Sequence, residues 1–252
     1  MSDQWFALVI GNSRLHWAHF HGNELQDSWD EPHYGQTDGV EESLRPTPRQ
    51  GKESDFPLWI ASVVPEQSQV WVGHPNTRWL TLEDVPLPGM YPTLGIDRAL
   101  ALWGAIATLG RPVLVIDAGT ALTFTGADQQ RLVGGAILPG LRLQFAALGQ
   151  KTAMLPALSR PNFLPPRWAL TTEDAIASGI LHTVTAGVQS FIQDWQQQYP
   201  GSSIVITGGD RDRLVQLLHQ QAPELATAIH VDAHLIFWGI RALRSTVPLE
   251  HL

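Results

Sequence analysis

Residues 6–13 read Phe-Ala-Leu-Val-Ile-Gly-Asn-Ser, and residues 114–121 read Leu-Val-Ile-Asp-Ala-Gly-Thr-Ala. Each stretch is an apolar strand that runs into glycine followed by a residue with a small hydroxyl or amide side chain. Glycine at a strand end permits a tight turn in which backbone N–H groups and a hydroxyl can approach a phosphate. A single turn of this kind also occurs in ordinary β-hairpins. Two related turns a domain's length apart favour two phosphate-facing loops over two unrelated hairpins.

The composition is that of a globular chain and argues against several classes of protein. The 252 residues are 44% hydrophobic and 16% charged, enough for one large core or two smaller ones. The formal charge of -8, from 16 Lys and Arg against 24 Asp and Glu, argues against nucleic acid as a partner. The lack of cysteine excludes disulfides and thiolate metal sites, so a cytoplasmic location is expected.

The sequence gives no sign of a membrane partner. Its first residues, with Ser2, Asp3 and Gln4, lack the basic region and apolar segment of a signal peptide. No window approaches the roughly 18 uninterrupted apolar residues that span a bilayer. We therefore expect no association with a membrane.

The hydrophobic pattern predicts a similar order of elements in each half of the chain. The first half has strands at 5–10, 15–20, 58–64 and near 70–72, and a helix at 97–109. The second half has strands at 113–117, 122–125, 132–137 and 203–207, and helices at 141–148, 175–197, 211–220 and 233–243. Residues 30–56, rich in Pro, Gly and charge, are predicted to be irregular or only partly helical and to contain a mobile loop. The pattern indicates two α/β domains, residues 1–110 and 111–252.

Seven short motifs follow one another along the chain. They are Gly11-Asn-Ser13, Gly95-Ile-Asp-Arg98, Asp117-Ala-Gly-Thr-Ala-Leu-Thr123, Gly134-Gly-Ala-Ile-Leu-Pro-Gly140, Thr152-Ala-Met-Leu-Pro156, Ala175-Ile-Ala-Ser-Gly179 and Thr207-Gly-Gly-Asp210. In this order they resemble the motifs of the type III pantothenate kinases. Each motif alone is common, but seven in sequence are specific. The resemblance implies two ribonuclease H-like (actin-like ATPase) halves. Each would be a mixed β-sheet flanked by helices, with the active site in the cleft between them.

The same resemblance implies ATP-dependent phosphorylation of pantothenate to 4'-phosphopantothenate, the first step of coenzyme A biosynthesis. Phosphoryl transfer requires positioning, charge neutralisation and a base that receives the alcohol proton. Asp97 matches the family's proton acceptor and is therefore the predicted general base. Apart from the resemblance, Asp97 could equally be a helix N-terminal carboxylate favoured by the helix dipole.

The predicted pantothenate site comprises the Asp97 motif and two further residues. Gly95, Ile96 and Arg98 surround Asp97, and a guanidinium suits pairing with a carboxylate or a phosphate. Thr172 matches a threonine that contacts the substrate in the family, although the asparagine that usually precedes it is Thr171 here. Tyr91 corresponds to a substrate-contacting tyrosine at a shorter spacing than expected, and an ordinary interface aromatic is an equal alternative.

The nucleotide, its cations and the oligomeric state are also implied by the resemblance. The first phosphate loop comprises Val9, Ile10, Gly11, Asn12, Ser13, Arg14, Leu15 and His16, and Thr120 supplies the hydroxyl of the second. Asp117 matches the ligand of a monovalent cation, K⁺ or NH₄⁺, although a carboxylate beside a glycine turn is also a common structural cap. ATP is the expected co-substrate, accompanied by Mg²⁺. A homodimer with pantothenate near the subunit interface is expected.

Two positions depart from the family pattern and leave a second hypothesis open. Val9 stands where the family usually has aspartate, and Thr125 stands where an acidic residue often closes the second loop. The alternative is therefore a non-catalytic nucleotide-binding regulatory protein of the same fold. The presence of Asp97, Asp117 and Thr120 favours the kinase.

The sequence gives less support to other kinds of site. Gly149-Gln-Lys-Thr152 lacks the glycine and lysine arrangement of a P-loop, and no Gly-x-Gly-x-x-Gly follows a strand. His16 and His19 would lie on opposite faces of one strand, which argues against a metal site with His21. The ten tryptophans are scattered, which is typical of core and interface packing.

Overall fold

The computed structural model describes residues 3–33, 56–152, 155–158, 161 and 163–246. They form two compact units, one within Met1–Ala107 and Ile236–Leu252 and the other within Thr108–Leu235. The boundary predicted after residue 110 lies close to this division. Residues 236–246, which the sequence pattern assigned to the second half, group with the first unit instead.

The first unit is built on a five-stranded mixed sheet with strand order β3-β2-β1-β4-β5. Strands β1 (Gln4–Ile10), β2 (Leu15–His21) and β3 (Glu24–Glu31) form an antiparallel meander. Strands β4 (Leu58–Ser62) and β5 (Thr77–Trp79) add in parallel on the other side of β1. Between them lie the short helix α1 (Pro65–Ser68) and a 3-10 turn at Gln69–Trp71. A second 3-10 turn, Leu82–Asp84, precedes helix α2 (Ile96–Leu109).

The second unit repeats this topology in a sheet with strand order β10-β9-β6-β7-β8. Its meander comprises β6 (Val113–Ala118), β7 (Ala121–Ala127) and β8 (Leu132–Pro139), and its parallel strands are β9 (Ser203–Thr207) and β10 (Ile229–Val231). The helices are α3 (Leu141–Lys151), α4 (Thr172–Gln198), α5 (Arg211–Gln221) and α6 (Pro223–Thr227). The repeat confirms the predicted α/β class with two mixed sheets.

The last helix, α7 (Leu235–Arg244), packs in the first unit. Gly239 lies directly against the backbone carbonyl of Leu100 in α2, where a Cβ atom would overlap it. The ring of Trp238 meets Phe20 of β2 edge to face, with centroids 6.1 Å apart. The sequence predicts this helix correctly, but an apolar period of 3.6 residues does not specify the sheet against which it packs.

Buried aromatic and aliphatic side chains fill both units. In the first unit, Trp5, Trp17, Trp59 and Trp71 are buried, which confirms the predicted core role for these four tryptophans, whereas Trp168 of the second unit is exposed. In the second unit, side chains of α4 pack with those of β6 and β7 in one hydrophobic core. Helix α4 has the length and composition of a membrane span, but half of its apolar window is buried inside the protein. That burial is typical of a core helix.

The predicted elements differ from the structure at the sheet edges. The strand predicted near residues 70–72 is wrong: Gln69–Trp71 is a 3-10 turn, and β5 follows it at Thr77–Trp79. Strand β3 is absent from the sequence prediction because an edge strand with polar residues on both faces lacks the apolar alternation of a half-buried strand. Strand β10, at three residues, is too short to show a period. Most of the irregular segment predicted at 30–56 lies outside the described residues.

Candidate active site

The first glycine turn connects β1 to β2. Its geometry is tight, because the N–H of Gly11 donates to the carbonyl of Arg14 at 3.0 Å. The carbonyl of Gly11 in turn accepts a hydrogen bond from Nε2 of the buried His33 at 2.7 Å. His33 therefore fixes the turn from a distant part of the chain. Sequence reasoning missed this residue, since one histidine in a Pro- and Gly-rich stretch carries no signal.

Only part of the predicted first loop is accessible at the turn. Val9, Ile10 and Leu15 are buried in the sheet, so only their backbone could reach a ligand. Val9, at the position where the resemblance expects aspartate, pairs with His16 of β2, which pairs with Asp30 of β3. The Nδ1 atom of His16 lies 2.7 Å from Oδ1 of Asp30. A carboxylate is thus present in the same cross-strand row, two strands away from Val9.

The second glycine turn connects β6 to β7 and is enclosed by two further glycines. The N–H of Gly119 donates to Ala121 at 3.2 Å, and the N–H of Gly140 donates to the carbonyl of Thr120 at 2.9 Å. A Cβ atom on Gly140 would overlap the carbonyl oxygens of Gly119 and Thr120. Gly208, with φ of +89°, packs equally closely against the end of β6. Glycine is therefore required where these backbone segments meet.

A small pocket opens beside this turn within the second unit. It is lined by Ala118, Gly119, Leu122, Gly140, Leu141, Val184, Asp210 and Leu214. Helices α3 and α5 begin at its rim, after Gly140 and Asp210 respectively. Helix N-termini present unpaired N–H groups and partial positive charge, which favour a phosphate. The sequence motifs included Gly140 and Asp210 but gave them no binding role.

Asp117 lies at the end of β6 in oxygen-rich surroundings. Its carboxylate is close to Gly119 and packs against Gly208. Thr123 and Thr207 are its partners on the two neighbouring strands, and both are buried. Carboxylate, carbonyl and hydroxyl oxygens are the donors that hard cations prefer, so these residues fit the predicted monovalent cation.

Magnesium has no comparable protein cage in the described part of the chain. Among residues 3–33, 56–152, 155–158, 161 and 163–246, no three His, Asp or Glu side chains are grouped to hold a metal ion. Mg²⁺ in kinases is commonly bound by substrate phosphates with one or two carboxylates rather than by a protein cage. The described residues are compatible with that mode.

Asp97 lies in the first turn of α2, with its carboxylate close to the α-carbon of Gly95. Its Oδ1 atom accepts a hydrogen bond from the N–H of Arg98 at 2.8 Å. A Cβ atom on Gly95 would overlap this oxygen, which explains the glycine in the motif. Burial raises the pKa of Asp97 above the usual aspartate value, although the Arg98 N–H and the Arg98 charge act against the increase. The carboxylate is therefore a stronger base than an exposed aspartate.

Arg98 is held by Tyr91. Arg98 is only 8% exposed, and its Nη1 donates to the Tyr91 hydroxyl at 3.0 Å. Tyr91 itself is 40% exposed, so the residue remains accessible to solvent. The structure thus brings Tyr91 to the predicted Gly95-Ile-Asp-Arg98 motif. Sequence reasoning placed Tyr91 at this site but did not predict its contact with Arg98.

Thr172 is the first residue of α4, in the second unit, and is exposed. Thr171 precedes it as the N-cap, with its Oγ1 accepting from the N–H of Asp174 at 3.2 Å. Threonine and asparagine both serve as N-caps, so Thr171 suits the start of α4 at the position where the resemblance expects asparagine.

Two repeated mixed sheets, each with a glycine turn between its first two strands, define the acetate and sugar kinase, Hsp70 and actin class of folds. Solved structures share this fold. One is a Baf family transcriptional activator from Campylobacter jejuni, with a TM-score of 0.62, 20% identity, and coverage of 95% of this chain and 97% of the other. Another is the activator of 2-hydroxyisocaproyl-CoA dehydratase from Clostridium difficile, solved with bound ADPNP, with a TM-score of 0.53, 13% identity, and coverage of 96% and 93%.

Within this class, the family model for type III pantothenate kinase matches residues 5–194. A type III pantothenate kinase from Nostoc sp. PCC 7120 is 47% identical, and the alignment covers 96% of this chain and 95% of the relative. The chain therefore belongs to the type III pantothenate kinase family.

Proposed function

We propose that this protein transfers the γ-phosphoryl group of ATP to the primary hydroxyl of pantothenate, giving 4'-phosphopantothenate at the entry to coenzyme A biosynthesis. The observation that carries the proposal is the half-buried Asp97, whose pKa is raised by desolvation, beside the Arg98–Tyr91 pair in a chain of this family. A base needs a pKa near the working pH, and burial moves Asp97 in that direction.

In the proposed reaction, Asp97 accepts the proton of the pantothenate hydroxyl. The alcohol oxygen forms its bond to the γ-phosphorus while the bond from that phosphorus to the bridging oxygen of ADP breaks. Arg98, already oriented by Tyr91, pairs with the carboxylate of pantothenate. Positioning and charge account for most of the catalysis in phosphoryl transfer, and these residues supply both.

The two glycine turns are the proposed contacts for the ATP phosphates. At the first turn, where the Gly11 N–H is donated to the Arg14 carbonyl, the backbone of residues 12–14 is the proposed contact, and at the second, Thr120 adds a hydroxyl close to the start of α3. Bound Mg²⁺ would neutralise phosphate charge, and Asp117 would hold K⁺ or NH₄⁺. The absence of a carboxylate at Val9 is compatible with Mg²⁺ bound mainly through the phosphates.

Removing the Tyr91 hydroxyl separates its role from that of the ring. Tyr91→Phe keeps the aromatic ring but removes the acceptor of the Arg98 hydrogen bond. We expect KM for pantothenate to rise about threefold to tenfold, the usual effect of one such hydrogen bond, with KM for ATP unchanged. Steady-state kinetics with each substrate varied in turn measures the split. Equal increases in both KM values would contradict this role for Tyr91.

We also propose a homodimer, on the basis of the family to which the chain belongs. Light scattering at the protein concentration used in kinetics measures the molar mass directly. A monomer that retains full activity would contradict the proposed homodimer.

The test of the proposed function is ADP release by the purified protein with and without pantothenate, at fixed Mg²⁺ and with K⁺, NH₄⁺ or Na⁺ as the monovalent ion. We expect release that requires pantothenate and is faster with K⁺ or NH₄⁺ than with Na⁺. No pantothenate-dependent release in any salt would favour the non-catalytic regulator. Equal rates of ADP release with all three ions would contradict Asp117 as a cation ligand but not the kinase activity.

A further inference from the structure

The chain that leads into α4 lies back along the first turns of that helix. We call residues 163–171 the strap. The carbonyl of Pro165 accepts a hydrogen bond from Nε2 of His182 at 3.1 Å, and the carbonyl of Arg167 accepts one from Oγ of Ser178 at 2.8 Å. Ser178 and His182 are four residues apart, so they share one face of α4. The strap therefore runs antiparallel to the helix that it enters.

Helix α5 supports the same strap from the side. The guanidinium of Arg213 donates to the carbonyl of Pro161, just before the strap, and to that of Phe163 at 3.2 Å. The side chain of Gln221 donates to Nδ1 of His182 at 3.3 Å. With Nδ1 as the acceptor, the ring proton is on Nε2 and points to the Pro165 carbonyl. Gln221 thus fixes the tautomer that holds the strap.

The larger apolar side chains of the strap contribute little to its attachment. Trp168 is 89% exposed, Leu170 is fully exposed, and Phe163 is also mostly exposed. Pro165 is buried, and Leu164 and the small Ala169 are partly buried. With so little apolar burial, the position of residues 166–171 depends on the hydrogen bonds from α4 to backbone carbonyls.

We infer that Ser178 and His182 are positioning residues, which hold the strap along α4 and thereby place Thr172 for contact with pantothenate. This inference rests on the proposed function. Thr172 follows directly after the strap, and its N-cap, Thr171, is the last residue of the strap. Loosening the strap would let the first turn of α4 fray and move the Thr172 hydroxyl, whereas the ATP-binding turns would be untouched.

The test compares Ser178→Ala, His182→Leu and His182→Gln in the full chain. Loss of the donor in Ser178→Ala or His182→Leu is expected to raise KM for pantothenate about threefold to tenfold, with KM for ATP within about twofold of the wild type. His182→Gln keeps an N–H donor at similar reach and should restore most of the affinity. Trypsin should also cut after Arg167 faster in the first two variants, as measured by mass spectrometry.

Thr227→Val is the matched control. It removes a hydroxyl that donates to the Glu224 carbonyl at 2.8 Å in the same unit, away from the strap, and should change neither KM nor cleavage after Arg167. A wild type that turns over pantothenate, with Ser178→Ala unchanged in KM, would overturn the positioning role alone. A wild type with no pantothenate turnover would overturn the proposed function and this inference together.

Discussion

Asp97→Asn lowers kcat about 100-fold to 10,000-fold in our expectation, because the amide cannot accept the proton of the pantothenate hydroxyl. The amide keeps the size of the carboxylate, and its oxygen can still accept the hydrogen bond from the Arg98 N–H. Pantothenate and ATP should therefore bind almost as well as in the wild type. Single-turnover kinetics and equilibrium binding of each substrate measure the two effects separately. A variant with an undiminished rate would exclude Asp97 as the base.

The same variant should not lose stability at neutral pH. The pKa of Asp97 is raised in the folded state, so the folded protein binds this proton more tightly than the unfolded chain. Stability related to this group is therefore highest below the unfolded pKa, and it falls as pH rises through the folded pKa. Replacing the carboxylate by a neutral amide removes that loss. We expect the Tm of Asp97→Asn at pH 7 to equal or exceed that of the wild type.

Asp84→Asn is a control in the same unit, for which we expect the opposite change in stability at pH 7. Burial acts to raise the pKa of Asp84, but hydrogen bonds from Thr81 and Arg78 outweigh it and lower the pKa. The stabilisation from this carboxylate is present above the unfolded pKa and is lost as pH falls through the folded pKa. Asp84→Asn should therefore lower Tm at pH 7 while kcat stays near wild type. The reverse pattern in the two variants would contradict the assigned environments.

Gly140→Ala is expected to damage the second glycine turn. The added Cβ would overlap the carbonyl oxygens of Gly119 and Thr120, which belong to the backbone and cannot rotate away. Forced overlap of this kind costs about 1–3 kcal/mol of stability. Displacement of Thr120 should also raise KM for ATP about tenfold or more, since a misplaced contact to a reacting group is costly. Urea unfolding and ATP-dependent kinetics measure the two consequences.

Gly187→Ala is the matched control for this substitution. Gly187 lies within α4, and a Cβ atom there would meet no atom within 4 Å. Alanine should stabilise the helix by up to about 1 kcal/mol and leave KM for ATP unchanged. If Gly140→Ala behaved like Gly187→Ala in both measurements, the close approach of Gly140 to the turn would have no functional importance.

Much of each sheet could be predicted because its strands and turns have local signatures. The apolar runs that end at Gly11 and Gly119 predicted both hairpins, and the structure confirms them. The edge strand β3 could not be predicted, because its residues are mostly polar, with only Leu25 and Trp29 apolar, and it acquires a strand conformation by pairing with β2. Short strands such as β10 depend in the same way on a neighbour.

The sequence likewise predicted some residues of the candidate site but not the contacts between them. The sequence supplied Asp97, Arg98, Asp117 and Thr120 through their motifs, and their roles remain proposals. It could not supply the contact of His33 with Gly11, since the two residues lie far apart in the chain. It also could not show that Tyr91 holds Arg98, because a tyrosine and an arginine seven residues apart have no fixed relation in an irregular segment.

The sequence by itself determined the order of the main strands and helices, the two glycine turns and the family. Hydrophobic periodicity and turn residues are properties of residues that are neighbours in the chain, so they can be recognised in the sequence without knowledge of the fold. Only the tertiary structure decided that α7 packs in the first unit, that Gly140 and Gly208 enclose the second turn, and that partial burial raises the pKa of Asp97. Each depends on close packing between segments that are distant in the chain, and the free energy of such contacts exists only once the chain has folded.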